Sequence, residues 1–237
     1  MDFVWCILIG YAFGCISPAA LLAKMQRKNL RAEGTGNLGT TNAMMVLGKA
    51  SGIIVLFVDL AKGAGSYLLA KKLFSHRGEV AGLLAGAFAV VGHVFPFYMR
   101  FRGGKGLAAF CGVAFAYNPL MFLFLVLASA AVMFIVNYSF VVPYSLAVLF
   151  CAVVTMLERN LWVFLITLLI STLILWKHAD NVKKAKKATD IKVRDYVRKY
   201  ILHSGTKEEP QTVSAELVYT LEENADGADR DNKTNDK

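Results

Sequence analysis

The sequence predicts an all-α fold, a polytopic membrane bundle of about seven transmembrane helices, one of them short. Its N-terminus is expected outside and its C-terminus in the cytoplasm. Three observations lead there. Of the 237 residues 56% are hydrophobic and 18% charged, and the mean hydropathy is +0.49, a balance uncommon in soluble domains. Apolar stretches near the length that crosses a bilayer recur along the chain. Basic residues crowd into alternate loops.

The apolar segments run at 3–23, 51–70, 80–98, 106–117, 119–136, 140–157 and 160–176. The first has no basic residue ahead of it and is followed by Lys24, Arg27 and Lys28. It therefore reads as a retained helix and not as a cleaved signal peptide. The second carries Asp59 and Lys62 one helical turn apart, and the third ends at Gly92-His93. The fourth stops at Asn118-Pro119, a pair that favours a turn. At 1.5 Å per residue it spans only about 18 Å, so a re-entrant or deeply set loop must lead into it. The fifth gives way to Asn137, Tyr138 and Ser139, and the seventh runs into a basic stretch from Lys177 to Lys199. Residues 1–202 are expected to form one membrane domain. Residues 203–237, with nine Asp or Glu against four Lys or Arg, read as an acidic, disordered cytoplasmic tail.

Sidedness follows from charge. With the N-terminus outside, the inner loops are 24–50, 99–105, 137–139 and everything after 177. Up to residue 202 they hold seventeen Lys or Arg, against Lys71, Lys72, Arg77 and Arg159 outside. The net charge is +9, but the basic run lacks the aromatic interleaving of a nucleic-acid surface and suits anionic lipid better. Cys6, Cys15, Cys111 and Cys151 all lie in apolar stretches. Free thiols are expected there, with neither a disulfide nor a metal site.

The polar motifs fall on the inner side. Gly34, Thr35, Gly36, Asn37, Leu38, Gly39, Thr40, Thr41 and Asn42 are consecutive. Glycines there can turn backbone N–H groups inward while the hydroxyls and amides add donors, which suits a phosphate nest; an ordinary flexible loop is the alternative. The Walker A pattern is missing. Farther on, Phe101, Arg102, Gly103, Gly104, Lys105 and Gly106 open a helix, placing a mobile cation beside a helix N-terminus. His93 is either a boundary residue or a substrate contact. Asp59 and Lys62 form a packing ion pair, or Lys62 meets an anion directly. His178 and Asn181 share a helical face just past the seventh segment.

In order along approximately residues 3–195, these motifs resemble the bacterial acyl-phosphate-dependent glycerol-3-phosphate acyltransferases, the PlsY family. The resemblance rests on 34–42, Asp59 to Gly63, Gly92 to Pro96, Phe101 to Gly106, Tyr138-Ser139, and His178 with Asn181. It implies a seven-helix enzyme of the bacterial inner membrane, active at the cytoplasmic face and needing neither a cofactor nor a metal. Such an enzyme moves an acyl group from acyl phosphate to the 1-hydroxyl of glycerol 3-phosphate, and its partners are membrane lipid and an acyl-phosphate-producing enzyme. Lys105, Thr35, Asn37 and His178 would be catalytic. Gly34, Gly36, Gly39, Thr41, Asn42, Lys62, His93, Gly103, Gly104, Ser139 and Asn181 would bind substrate. Three positions depart from the pattern: Thr35 and Asp190 replace the usual serine and glutamate, and Met45 stands where arginine is expected. Methionine cannot supply an arginine's bidentate fork. A weakly active or inactive paralogue is thus one alternative reading, and a small-anion transporter is the other.

Overall fold

The computed structural model describes residues 1–138 and 140–186, with side chains as far as Lys183. Ser139, Asp190 and the acidic tail lie outside the described residues. Among the described residues all regular structure is helical. Six helical stretches are long and apolar enough to cross a membrane, and the helix at 107–117 is shorter.

The first apolar segment is broken. α1 (Asp2–Cys15) ends before Ile16, and α2 (Pro18–Met25) restarts with Ser17 as its cap and Pro18 in its first turn. Proline has no N–H to offer a continuous ladder, so the carbonyls before it are released. The stretch expected to be a plain loop at 24–50 holds a further helix, α3 (Thr40–Leu47). Its apolar face, Ala43 and Leu47, packs with Ala19, Ala23, Leu30 and Val55. α4 (Lys49–Leu73) follows after Gly48, and α5 (Glu79–Val94) follows a short 3-10 turn. A second such turn at Phe97–Met99 leads to α6 (Leu107–Tyr117), the short helix. Asn118 accepts from the Met121 N–H at 2.9 Å, and Pro119 occupies the first turn of α7 (Pro119–Val136). The Asn-Pro break expected from sequence is therefore a shared helix boundary. α8 (Val141–Glu158) and α9 (Leu161–Lys186) complete the order.

Small residues let the central helices touch backbone to backbone, which lipid, as apolar as leucine, does not by itself drive. A Cβ added at Gly10 would meet the backbone of Ala85. One added at Gly14 would lie 2.8 Å from the Gly92 Cα and 2.9 Å from the Ala89 carbonyl carbon. α4 and α6 cross the same way, Gly63 on Ala109 and Gly112 on Leu60. α5 is the most enclosed span, whereas α7 turns most of its surface outward, with Leu120, Phe124 and Ile135 exposed as lipid-facing residues would be. Gly14→Leu should lower stability by about 3 kcal/mol or more, because a side chain would wedge α1 off α5. Thermal unfolding in detergent checks this, and an unshifted transition would count against the backbone contact.

The two ends of the bundle differ. At one, Glu79 holds Tyr67 and Lys71, Tyr117 donates to Glu158 at 2.7 Å, and Asp2 pairs with His76 and Arg77. The other collects the starts of α3, α4, α6 and α8 and the end of α5. The glycine-rich motifs are there.

Candidate active site

The loop before α6 is folded back on the end of α5. The last carbonyls of a helix have no partner of their own, and here Gly103 N–H donates to Val94 O at 2.9 Å and Gly104 N–H to His93 O at 3.1 Å. A Cβ at Gly103 would lie 2.7 Å from Pro96 Cδ, and one at Gly104 would lie 3.0 Å from both His93 Cε1 and the Leu38 carbonyl oxygen. The backbone donors expected to meet a phosphate are thus already engaged, and these glycines are demanded by packing. Gly106, in the left-handed region at φ 88°, starts α6. Lys105, just before it, donates from Nζ to Asn181 Oδ1 at 2.6 Å.

Asn42 templates the other glycine loop. Its Oδ1 accepts from Thr35 N–H at 2.7 Å, and its Nδ2 donates to Leu30 O at 2.8 Å and Glu33 O at 3.2 Å. At 1% exposure its amide is engaged by the loop's own backbone. Gly34 and Gly36 take φ values of 60° and 70° to follow this template, and Gly36 N–H turns to Glu33 O at 3.1 Å. The side chains of Thr35 and Thr41 are exposed, and that of Asn37 is half-buried above Gly39. These groups, more than the Thr35 and Gly36 amides, are left to meet an anion.

Lys62 is engaged within the protein. Its Nζ has Asp59 Oδ1 at 2.8 Å, Ile16 O at 2.7 Å and His93 Nδ1 at 2.7 Å. An ammonium has three protons to donate, so none remains for a ligand. The packing ion pair weighed from sequence is present, extended to a histidine and to the carbonyl released at the α1–α2 break. Both charged side chains are 2% exposed.

α9 supplies the remaining groups. Lys177 sits over the rings of Phe95 and Trp176, 5.6 and 5.2 Å from their centroids. His178 is buried, and its Nδ1 lies 2.8 Å from Ile174 O. A carbonyl only accepts, so Nδ1 carries the proton and Nε2 keeps a lone pair.

Four contacts gather these pieces at one end of the bundle. The Arg31 guanidinium donates to the Arg102 carbonyl, tying loop to loop. Leu38 O and His93 both face Gly104. Lys105 bonds Asn181 on α9, and Tyr11 O–H donates to Phe95 O at 2.8 Å, anchoring the turn after α5 on α1. Arg31 stands out in the sequence only as a possible substitute, with Lys49, for the arginine that Met45 replaces, and not as a bridge between loops. Tyr11 was not singled out from sequence, because it sits inside an apolar run.

The same architecture occurs in known proteins. A family model described as glycerol-3-phosphate acyltransferase matches residues 4–188. A glycerol-3-phosphate acyltransferase of Coxiella burnetii (strain Dugway 5J108-111) is 35% identical over 195 residues, covering 82% of this chain and 100% of that protein. One from Staphylococcus haemolyticus (strain JCSC1435) is 30% identical over 206 residues, covering 82% and 99%. The crystal structure of PlsY, an integral membrane glycerol 3-phosphate acyltransferase, in its glycerol 3-phosphate form matches with a TM-score of 0.73 at 27% identity. That match covers 81% of this chain and 96% of the PlsY chain. The lysophosphatidic acid form gives a TM-score of 0.71 at 26% identity. With a family match across most of its length and the same membrane bundle around its glycine loops, the chain belongs to the PlsY-type glycerol-3-phosphate acyltransferase family.

Proposed function

We propose that the protein transfers a fatty acyl group from acyl phosphate to the 1-hydroxyl of glycerol 3-phosphate, releasing phosphate and lysophosphatidic acid. The reaction is placed at the cytoplasmic face of a bacterial inner membrane, the side that the seventeen-to-four bias of basic residues assigns to these loops. The observation that carries the reading is the Lys105–Asn181 bond, which joins the second glycine loop to α9 beside the first. Both substrates are anions, and this junction offers them a cation, amides and hydroxyls together.

Lys105, with Thr35 and Asn37, holds the phosphate of the donor and stabilises it as it leaves. Thr41, His178, Asn181 and Ser139 hold glycerol 3-phosphate, the last assigned from sequence alone. The hydroxyl oxygen attacks the acyl carbonyl carbon, the bond from that carbon to the phosphate oxygen breaks, and the proton goes to the departing phosphate. The donor is already activated, so positioning and charge stabilisation supply most of the acceleration. The Nε2 lone pair of His178 can accept from the hydroxyl and aim it.

A weak or inactive paralogue is the second reading. Met45 is 57% exposed on α3, one turn from Thr41 and on the same face, where the resemblance puts an arginine. One assay separates the two readings: purified protein in detergent with palmitoyl phosphate and glycerol 3-phosphate, following phosphate release beside an acyl-CoA control. Release dependent on glycerol 3-phosphate is expected with acyl phosphate and not with acyl-CoA. Glycerol 3-phosphate binding without any turnover would instead support the paralogue.

A further inference from the structure

The turn between α5 and α6 spends its backbone inward and leaves its charge outside. Arg100 N–H donates to Phe97 O, Phe101 N–H to Pro96 O and Arg102 N–H to Met99 O, at 3.2, 3.1 and 3.2 Å. Tyr98 O–H donates to Cys15 O at 2.6 Å, which fixes the turn on α1. To close this way the chain holds Arg100 and Phe101 at φ 55° and 57°, the left-handed region in which a side chain is strained and glycine is not. A guanidinium is thus carried at a position that backbone energetics would give to glycine. Among the described residues Arg100 lines, with Arg31, Tyr98, Met99 and Arg102, an open cleft of about 360 Å³. Lys105, His178 and Asn181 are not among its lining residues, so the cleft is separate from the acyl-transfer junction.

All three arginines are exposed, and among the described residues none has a carboxylate partner. Arg31 spends one nitrogen on the Arg102 carbonyl, and the Arg100 and Arg102 side chains have no hydrogen-bond partner among the described residues. Glu33, the acid of the Arg31 loop, is taken by Asn29 N–H at 3.0 Å. The opposite end of the bundle is built otherwise, with Lys71 on Glu79 and Arg77 on Asp2. Three like charges around one cleft repel until an anion joins them, and planar guanidinium forks match the oxygens of a phosphate. We propose that Arg31, Arg100 and Arg102 form a phosphate-binding cleft, distinct from the site that Lys105 serves. Its ligand is a phosphate group, carried either by a small phosphate ester in solution or by an anionic lipid headgroup. Phe97, Tyr98 and Phe101 are exposed beside it, as suits a turn lying at the membrane surface. The cleft does not depend on acyl transfer.

Variants of Arg100 and Arg102 probe the cleft without touching the loop-to-loop bond, which uses the Arg102 carbonyl and the Arg31 side chain. If the phosphate comes from solution, full-length Lys105→Ala protein in detergent, which lacks the cation of the acyl-transfer junction, should still bind radiolabelled inorganic phosphate in equilibrium dialysis. Glycerol 3-phosphate should compete with it. If the phosphate comes from lipid, native mass spectrometry of the wild type offered equal phosphatidylglycerol and phosphatidylcholine should show phosphatidylglycerol retained. In whichever arm binds, Arg100→Gly/Arg102→Gln should weaken binding about tenfold or more. Arg100→Lys/Arg102→Gln should restore only part of it, because the charge returns without the fork. Arg100→Gly alone should bind less tightly yet unfold at an equal or higher temperature, since glycine relieves the left-handed backbone; an arginine kept for structure would give the reverse. Binding in the first arm alone assigns the cleft to a soluble phosphate, and in the second alone to a headgroup. No binding in either arm, binding that the double variant leaves within about twofold, or wild-type binding by Arg100→Gly would overturn the proposal.

Discussion

Lys105→Ala is expected to lower acyl transfer about a thousandfold, equivalent to ~4 kcal/mol of transition-state stabilisation, while the protein stays folded. The expectation rests on what surrounds Lys105. In the glycine loop the amides of Gly103 and Gly104 are engaged by Val94 and His93, so the flexible ammonium is what this loop offers to a charge developing on phosphate. Its bond to Asn181 holds it at the junction with α9. Because Lys105 is half-buried and not in the core, its loss should move thermal unfolding in detergent little. Lys105→Arg, with its charge kept but its reach and fork altered, should recover only part of the rate. Initial rates of phosphate release at saturating palmitoyl phosphate test this. Activity within tenfold of wild type for Lys105→Ala would remove the residue from the chemistry.

The bundle was legible in sequence wherever the signal was local. Long apolar runs, a Pro-capped boundary at Asn118-Pro119 and lysines at alternate ends suffice to place the spans, because length and desolvation decide them. α3 was not legible: eight residues led by two threonines inside a polar stretch carry little helical preference. The helix exists because Ala43 and Leu47 find Ala19 and Val55 across the chain. Asn42 illustrates the same limit at the site. Its residue type fits a substrate amide and a loop template equally well, and burial to 1% decides for the template. Lys62 was legible as half of an ion pair, because Asp59 lies one turn away. Its contacts with Ile16, forty-six positions away, and His93, thirty-one away, are tertiary and left no local trace. The break before Pro18, which releases that Ile16 carbonyl, was read from sequence as continuous helix.

Asp59→Leu should be among the most destabilising single substitutions, by roughly 3–5 kcal/mol. It would strand the Lys62 ammonium in a span where the chain leaves it 2% exposed, with a carbonyl and an imidazole but no counter-charge. Uncompensated charge at such depth is costly on any scale. Removing both partners differs in kind from removing one. Asp59→Leu/Lys62→Met replaces two desolvated charges by apolar side chains of fitting size and should recover most of the lost thermal stability, as buried ion pairs tend to be dispensable for folding. If the pair existed only to pack α4 against its neighbours, the double variant would also recover activity. Recovery of the unfolding temperature with transfer still depressed about 100-fold is the expected result, because the fold no longer needs the pair whereas the His93 ring, beside the second glycine loop, has lost both charged groups that face its Nδ1. A fully active double variant would reduce Asp59 and Lys62 to packing and detach them from the site altogether.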